Sequence, residues 1–590
     1  MNSQGAPDGS TLHVANGEYH EAVTLSSWTN GYHFMLLGAS RDSTIICGAN
    51  PNVEAGRYDG SHAISWIDTG QDSTWAAYFP SAGGPADSTQ LIVLGYGEQL
   101  HRKTSIKGIL DDSTLTAGCS SSSNAGELSG WFWRNDTLYV KSARTASAPS
   151  VSGNHFGYID VPVTVINRNW TISTLTVRYA GSIRNDNFAT EAAYKNANDQ
   201  GCGTGCQAGK QNPGQNGHLI SFSVFSSSSS SAAGSVLYNL HLYGANQQLI
   251  WGQHYFAPVV SDSITVARCL IDGLTIGSMH YAAAKCRNEE QIDGVTLKGS
   301  NANVYANTVL GCDNGITSDG FQTDTTAGSN HEYSYNTVRQ TSDDAFEVDN
   351  GADINVLVLR NSVQRALSGF SGVPAKLGPI FVFYNTFAAT GRASKLGGGN
   401  TAPTYWYHDT FYPDSFLTVH SQQLALQAVG GTTQHNYYRN CIFASRATSA
   451  TIPISGVGVP DSARYRTNEF NYDVVYTQSG TNVATWTGTN FTIVTLRSTL
   501  VWEKNGGGTT WNGASGQRFI KPSTYNFRLA RNVINEKDIG VRITGVNTAF
   551  GTNLYSAFPG SSPPGAPDVG AYEFSNKRRR PWWRRWYQHS

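Results

Sequence analysis

A short segment recurs along this chain at nearly constant spacing, and a period of that size leaves few folds open. The segments are YANTVL at 305, YNTVRQ at 335, RNSVQR at 360, YNTFAA at 384, YHDTFY at 407 and YRNCIF at 438. Their shared polar residues are Asn307, Asn336, Asn361, Asn385, Asp409 and Asn440, at gaps of 29, 25, 24, 24 and 31. Two positions later stands an apolar residue each time: Val309, Val338, Val363, Phe387, Phe411 and Ile442. One short strand per unit, with no helical pattern between, means that each unit is a coil stacked on its neighbours. Asn residues in register pass hydrogen bonds up such a stack and satisfy backbone groups at a bend. Leucine-rich repeats share the period, but their Leu-x-x-Leu-x-Leu pattern is missing. The expectation is an all-β chain, a right-handed parallel β-helix (solenoid) with a β-rich insert near the N-terminus.

A second ladder supports the repeat. IDGVTLK at 292, SDGFQTD at 318, DDAFEVD at 343 and LSGFSGV at 367 align without gaps on Val295, Phe321, Phe346 and Phe370, spaced 26, 25 and 24. Around these columns the sequence divides into five parts. Residues 1–60 read as the first coil with its cap truncated, and 61–150 as a β-rich insert centred on GWFWRNDTLYVKSA. Residues 151–450 form the core with both ladders, 451–575 the last coils with a closing strand at PDVGAYEF, and 576–590 a cationic aromatic tail. Six Lys and Arg between 577 and 585, interleaved with Trp582, Trp583 and Trp586, suit contact with an anionic surface through 577–587. The alternative is a terminus without fixed structure.

Composition narrows the setting. Charged residues are 14% of the chain, against ~25% in an average soluble domain. A net charge of −1 argues against a nucleic-acid partner. The polar, weakly charged, aromatic-rich mixture suits an extracellular β-protein, and since Met1 is not followed by a basic region and an apolar core, the expectation is a secreted protein whose leader is not part of this chain. Of eight cysteines, Cys202 and Cys206 in GCGTGC are placed to close a small disulfide; the others read as buried small hydrophobes. No zinc spacing occurs among them.

Stacking turns the second ladder into columns of acids. Asp293, Asp319 and Asp344 form one column and Lys298, Asp324 and Asp349 another, with Gln322, Asp343 and Glu347 between. Asp344 shares the inward parity of Phe346 whereas Glu347 and Asp349 do not, so one face gathers them only if the strand bends. Carboxylates on coils ~4.8 Å apart repel by ~3 kcal/mol at an effective dielectric of 20. Compensation comes from a cation with oxygen ligands such as Ca²⁺, from protonation, or from Lys298 and Arg360. The plain alternative is a solvated Asp-rich turn ladder with only a structural role. Before the ladder residues stand Tyr335, Arg360, Tyr384, His408 and Arg439, an expected exposed stripe of aromatic and basic side chains fit to stack on sugars and pair with uronates.

The opening GSTLHVANGEYHEAV, the ladder segments and the closing PDVGAYEF resemble the secreted right-handed β-helix superfamily of pectate, alginate and chondroitin lyases, epimerases and polygalacturonases. The resemblance implies a carbohydrate-active protein, with acidic Ca²⁺ ligands and a Lys or Arg base if it is a lyase. SDG at 318 and SDD at 342 match the first part of the polygalacturonase pattern, but its Gly-His-Gly and Arg-x-Lys are missing, as is the epimerase Asp-Pro-His. The expected activity is therefore β-elimination on an acidic, uronate-containing polysaccharide. Lys298, Asp344, Arg360 and Asp319 are the catalytic candidates, and Tyr335, Tyr384, His408 and Arg439 the substrate contacts. Asp324, Asp343, Glu347 and Asp349 are the metal candidates. The alternatives are a glycoside hydrolase using paired carboxylates and a non-catalytic surface or filament protein; oligomeric state is left open.

Overall fold

The computed structural model describes residues 7–529, apart from 27–31, 80–91, 101–129, 182–216, 223–231, 253–261, 275–291, 319–328, 414–423, 445–453, 457–467, 511–518 and breaks of one to four residues. The expected Cys202–Cys206 bridge, closing strand PDVGAYEF and cationic tail lie outside the described residues, as do Asp319 and Asp324. The chain forms two compact units, Met1–Ser318 with Thr337–Glu347, and Asp319–Asn336 with Val348–Ser590. In each unit the chain visits three parallel sheets in the same order, turn after turn, as a right-handed parallel β-helix.

In the first unit, one coil runs through the strands Thr265–Ala267, Leu270–Asp272 and Val295–Leu297 of the first, second and third sheets. After the first, the coils point one apolar residue inward from most strands. On the second sheet Ile46, Val177, Leu242, Ile271, Val309 and Val338 stand in register. On the third, Val163, Ile220, Ile250, Val295, Ile316 and Phe346 do the same. All are essentially inaccessible to solvent, and each such side chain contributes about 1.5–3 kcal/mol of burial. The second unit fills the same space with aromatic rings. Phe387, Phe411 and Phe443 stack at centroid distances of 5.4 and 4.8 Å, and Trp406, Tyr438 and Phe470 at 5.4 and 4.4 Å.

The corner between the first and second sheets explains the Asn column. The residue before each ladder position adopts a left-handed conformation, with φ of 58° at Tyr335, 54° at Arg360, 59° at Tyr384 and 59° at His408. That sharp turn takes the next N–H out of the ladder pairing, and the ladder side chain supplies its acceptor. Asn336 N–H donates to Asn361 Oδ1 at 2.8 Å, Asn361 N–H to Asn385 Oδ1 at 2.8 Å, and Asn385 N–H to Asp409 Oδ1 at 2.7 Å.

Two registers differ from the sequence reading. In the coil at 438–443 the left-handed residue is Asn440 (φ 58°), and Phe443 rather than Ile442 pairs with Phe411. Cys441 therefore occupies the ladder position, its N–H donating to Asp473 Oδ1 at 2.6 Å, and the coil is one residue longer than the Asn spacing implied. On the third sheet Ile316, not Phe321, stands opposite Val295 and Phe346. The register is carried by DNGIT at 313, five residues before the expected segment, with Asn314 between Asp293 and Asp344.

The insert interrupts the early coils of the first unit. Trp66–Asp68, Thr74–Tyr78, Gly130–Arg134 and Thr137–Lys141 form an antiparallel sheet, and His155–Phe156 pairs with the hairpin strand Ile92–Leu94. Its own core includes Val53, Phe79, Trp131, Leu138 and Phe156.

Candidate functional site

On the outer side of the third sheet in the first unit, one row of side chains runs across the strands. Ser221, Trp251, Thr296, Thr317 and Glu347 are successive register partners. At one strand spacing each, Trp251 and Glu347 lie roughly 14 Å apart along the row. Trp251 is half-buried and packed against two neighbours. The His218 imidazole stacks on it at 5.2 Å and 12°, and Lys298 Nζ sits 5.4 Å from its ring centroid. Lys298 follows the strand Val295–Leu297, and its N–H donates to Gly252 O at 2.9 Å, which places it beside the indole.

Carboxylates gather at the corner where the third sheet begins. Asp293, Asp313, Asp343 and Asp344 are all buried, and Glu347 is half-buried. Asp293 Oδ2 accepts from Gln248 Nε2 at 3.2 Å and Thr296 Oγ1 at 3.4 Å. Asp313 Oδ1 accepts from Ser342 Oγ at 2.6 Å, and Asp344 N–H donates to Asn314 Oδ1 at 3.1 Å. Asp344 and Glu347 differ in strand parity, yet their carboxylate oxygens come within 4.8 Å. Asp344 opens its strand at the corner, where alternation has not begun, and this provides the bend the sequence required.

The coils approach closely here because of two glycines. A Cβ on Gly294 would lie 2.6 Å from Gly315 O, and one on Gly315 would lie 2.5 Å from Ala345 O. Gly after Asp or Asn at this corner is thus a steric requirement, and it marks the true register.

Of the catalytic candidates, Lys298 and Asp344 lie on this face of the first unit. Arg360 belongs to the second unit, at the corner between its first and second sheets. Of the metal candidates, Asp343 is buried at the corner beside Asp344, its N–H donating to Asp313 O at 3.0 Å. Asp349, in the second unit, accepts at Oδ1 from Ser371 Oγ and Val373 N–H, both at 2.7 Å. Asp344 and Glu347 are hard oxygen donors of the kind Ca²⁺ takes and would supply two of its roughly 6–8 ligands. Trp251 on this face, buried His218 stacked on it and buried Asp313 at the corner are residues that the ladder alignment missed. The Asp-Asn-Gly before Ile316 was the available signal for Asp313.

The stripe exists but is exposed at one end only. Arg360 lies 5.9 Å from the Tyr335 ring centroid and 5.5 Å from that of Tyr384, and His408 stacks on Tyr384 at 4.8 Å. Tyr335 is exposed and Arg360 half-buried, whereas Tyr384 and His408 are buried, which corrects the expectation of a fully exposed column. Tyr384 packs with Leu359, Phe383 and Tyr407, and His408 Nε2 meets Asn440 Nδ2 at 3.1 Å. Arg439 is not a corner residue at all. It ends the strand Asn436–Arg439 and pairs with Glu469 at 2.8 Å.

No family model matches this chain, and no curated protein matches it. Among solved structures it is similar to XylC in complex with xylose, with 9% identity over 98% of this chain and 94% of that one and a TM-score of 0.48. A structure described as a glycoside hydrolase has 9% identity over 73% of this chain and 89% of that one, with a TM-score of 0.33. The fold assignment rests on the strand pairing itself.

Proposed function

We propose that the protein is a secreted, polysaccharide-cleaving enzyme whose site is the outer face of the third sheet in the first unit. The observation that carries this reading is the Asp344–Glu347 pair, two carboxylates within 4.8 Å on the face that also carries Trp251. Two carboxylates brought this close fall within the roughly 5–5.5 Å reach of glycosidases that retain configuration, not the wider spacing of inverting enzymes. In such a pair one carboxyl group protonates the leaving glycosidic oxygen while the other attacks the anomeric carbon. Water then releases the sugar as the first group takes a proton back. Asp344 is buried at the corner and Glu347 half-buried on the row, so Glu347 is the carboxylate more open to a sugar on this face. Trp251 adds a half-buried aromatic side chain for a sugar to pack against further along the row.

A second reading is β-elimination on a uronate polymer, favoured by Lys298. A fixed ammonium beside an aromatic platform suits a sugar carboxylate, and Ca²⁺ at the acids would supply further charge neutralisation when bound. Incubation with neutral and acidic polysaccharides separates the two. New reducing ends without an unsaturated, ultraviolet-absorbing product support hydrolysis, and the absorbing product, if lost with EDTA, supports calcium-dependent elimination. Glycan binding with neither product would support a binding protein, and no binding at all would remove the site.

A further inference from the structure

The outer side of the second sheet in the first unit carries a different cluster, remote in sequence from the acidic ladder. Glu18 and His20 come from the first coil and Cys47 from the strand Thr44–Cys47. Glu54 ends the short helix Pro51–Glu54, and His155 belongs to the strand His155–Phe156 of the insert. Arg178 is the register partner of Cys47, and Tyr243 that of Arg178.

Four donor groups converge. His20 Nε2 lies 3.6 Å from Glu18 Oε1 and 3.5 Å from Glu54 Oε2, and Cys47 Sγ lies 3.8 Å from Glu54 Oε1. One ligand atom from each residue falls within 4.8 Å of all the others. Ligands held about 2.0–2.3 Å from a tetrahedral Zn²⁺ stand roughly 3.3–3.6 Å from one another, so the observed separations are close to the edges of an assembled zinc tetrahedron.

The surrounding bonds orient these donors. His20 Nδ1 lies 2.9 Å from Ala49 O, which requires a proton on Nδ1 and turns Nε2 toward the two glutamates. His155 Nδ1 hydrogen-bonds Glu54 Oε1, and Arg178 donates to Glu18 Oε1, so each carboxylate is held from behind. His155 is itself fixed by stacking on Tyr179 at 4.0 Å, and Arg178 donates to the Tyr243 hydroxyl at 3.0 Å. Outer-shell contacts of this kind fix tautomer and ring plane in metal sites.

We propose that Glu18, His20, Cys47 and Glu54 form a divalent transition-metal site, with Zn²⁺ as its ion, that fastens the insert to the first coils of the β-helix. Charge supports the assignment. Two carboxylates and a thiolate carry three negative charges, and Arg178 with a divalent ion balances them. Imidazole and thiolate donors select zinc over calcium or magnesium. The role is structural, because Glu54 stands at the entry to the insert and is bonded by His155 from the insert's last strand.

Calorimetric titration of the full chain with Zn²⁺, and absorption after loading with Co²⁺, test the assignment. The wild type should bind one ion per chain with a thiolate-to-cobalt charge-transfer band. Cys47→Ser should lose that band. His20→Gln, at a position that is partly exposed, should weaken Zn²⁺ binding at least 100-fold. His155→Ala should keep the band but weaken binding about 10–100-fold. Zinc should raise the thermal midpoint of the wild type and not that of His20→Gln. Absence of stoichiometric binding, or a band that persists in Cys47→Ser because the ion sits on other cysteines, would overturn the site.

Discussion

Replacing Asn361 by Ala tests whether side-chain hydrogen bonds hold the solenoid corner. Asn361 is buried and makes bonds in both directions along the stack. Its Oδ1 accepts from Asn336 N–H at 2.8 Å and Asn336 Nδ2 at 3.1 Å, and its Nδ2 donates to Tyr333 O at 2.8 Å and Asn385 Oδ1 at 3.0 Å. The truncation takes these partners from one backbone N–H and one backbone carbonyl inside the coil stack. Each buried polar group deprived of its bond costs about 1–3 kcal/mol, so the variant should lose about 4 kcal/mol. That is a large share of a typical net stability of about 5–15 kcal/mol. Urea unfolding followed by Trp fluorescence should show a lower midpoint with an unchanged slope. Asn361→Asp keeps the acceptor for Asn336 and should cost less, with its loss growing as pH rises and the buried carboxyl ionises. Asp409, already in the column, has its carboxyl pushed well above the usual range by burial and supplies the precedent. A loss under about 1 kcal/mol for Asn361→Ala would refute the view that the ladder bonds carry the corner.

Burial pushes Glu503 up to about 7, and burial followed by the charge of Glu503 pushes Asp473 up as well. Because the folded pKa is raised, this contribution is fully present below about 4.5 and is lost as pH rises through about 7. Thermal midpoints should therefore fall between pH 5 and 8, and Glu503→Gln should flatten that slope; an unchanged slope would exclude the pair as its cause. Asp344→Asn and Glu347→Gln should each cut glycan cleavage by about 10²–10⁴-fold without moving the melting temperature downward, as measured by reducing-end release. Gly315→Ala should destabilise by about 1–3 kcal/mol, read by urea midpoint, because its Cβ would meet Ala345 O at 2.5 Å and Val338 Cγ1 at 2.6 Å.

The fold was legible because its two strongest constraints repeat. A ladder residue must accept an N–H at every corner, and an apolar residue must follow two positions on, so both leave a mark once per coil. The reading slipped where a coil satisfied the constraint with a different residue. Cys441 stands in the Asn column, and its thiol donates to Trp406 O at 3.3 Å, so in the sequence the adjacent Asn440 mimics the ladder residue and Arg439 the corner. The third sheet misled in a similar way. SDGF resembles DDAF more than DNGI does, but only the glycine that packs under Ala345 fixes the register.

Site chemistry was less legible because it depends on where strand alternation starts and on contacts distant in sequence. Asp344 and Glu347 have opposite parity, and a regular strand would send them to opposite faces. They meet because Asp344 is the first residue after a corner, a position that spacing alone does not reveal. The zinc ligands lie within Glu18–Glu54, but His155, which orients Glu54, lies 101 residues further along, at the far end of the insert. No local motif spans that distance. The insert closes both ends of the cluster, Glu54 at its entry and His155 at its exit, so binding there should rigidify the junction without altering the coil register. The carboxylate pair on the third sheet should then keep its geometry whether or not zinc is bound, which makes cleavage insensitive to zinc removal at temperatures below the melting transition.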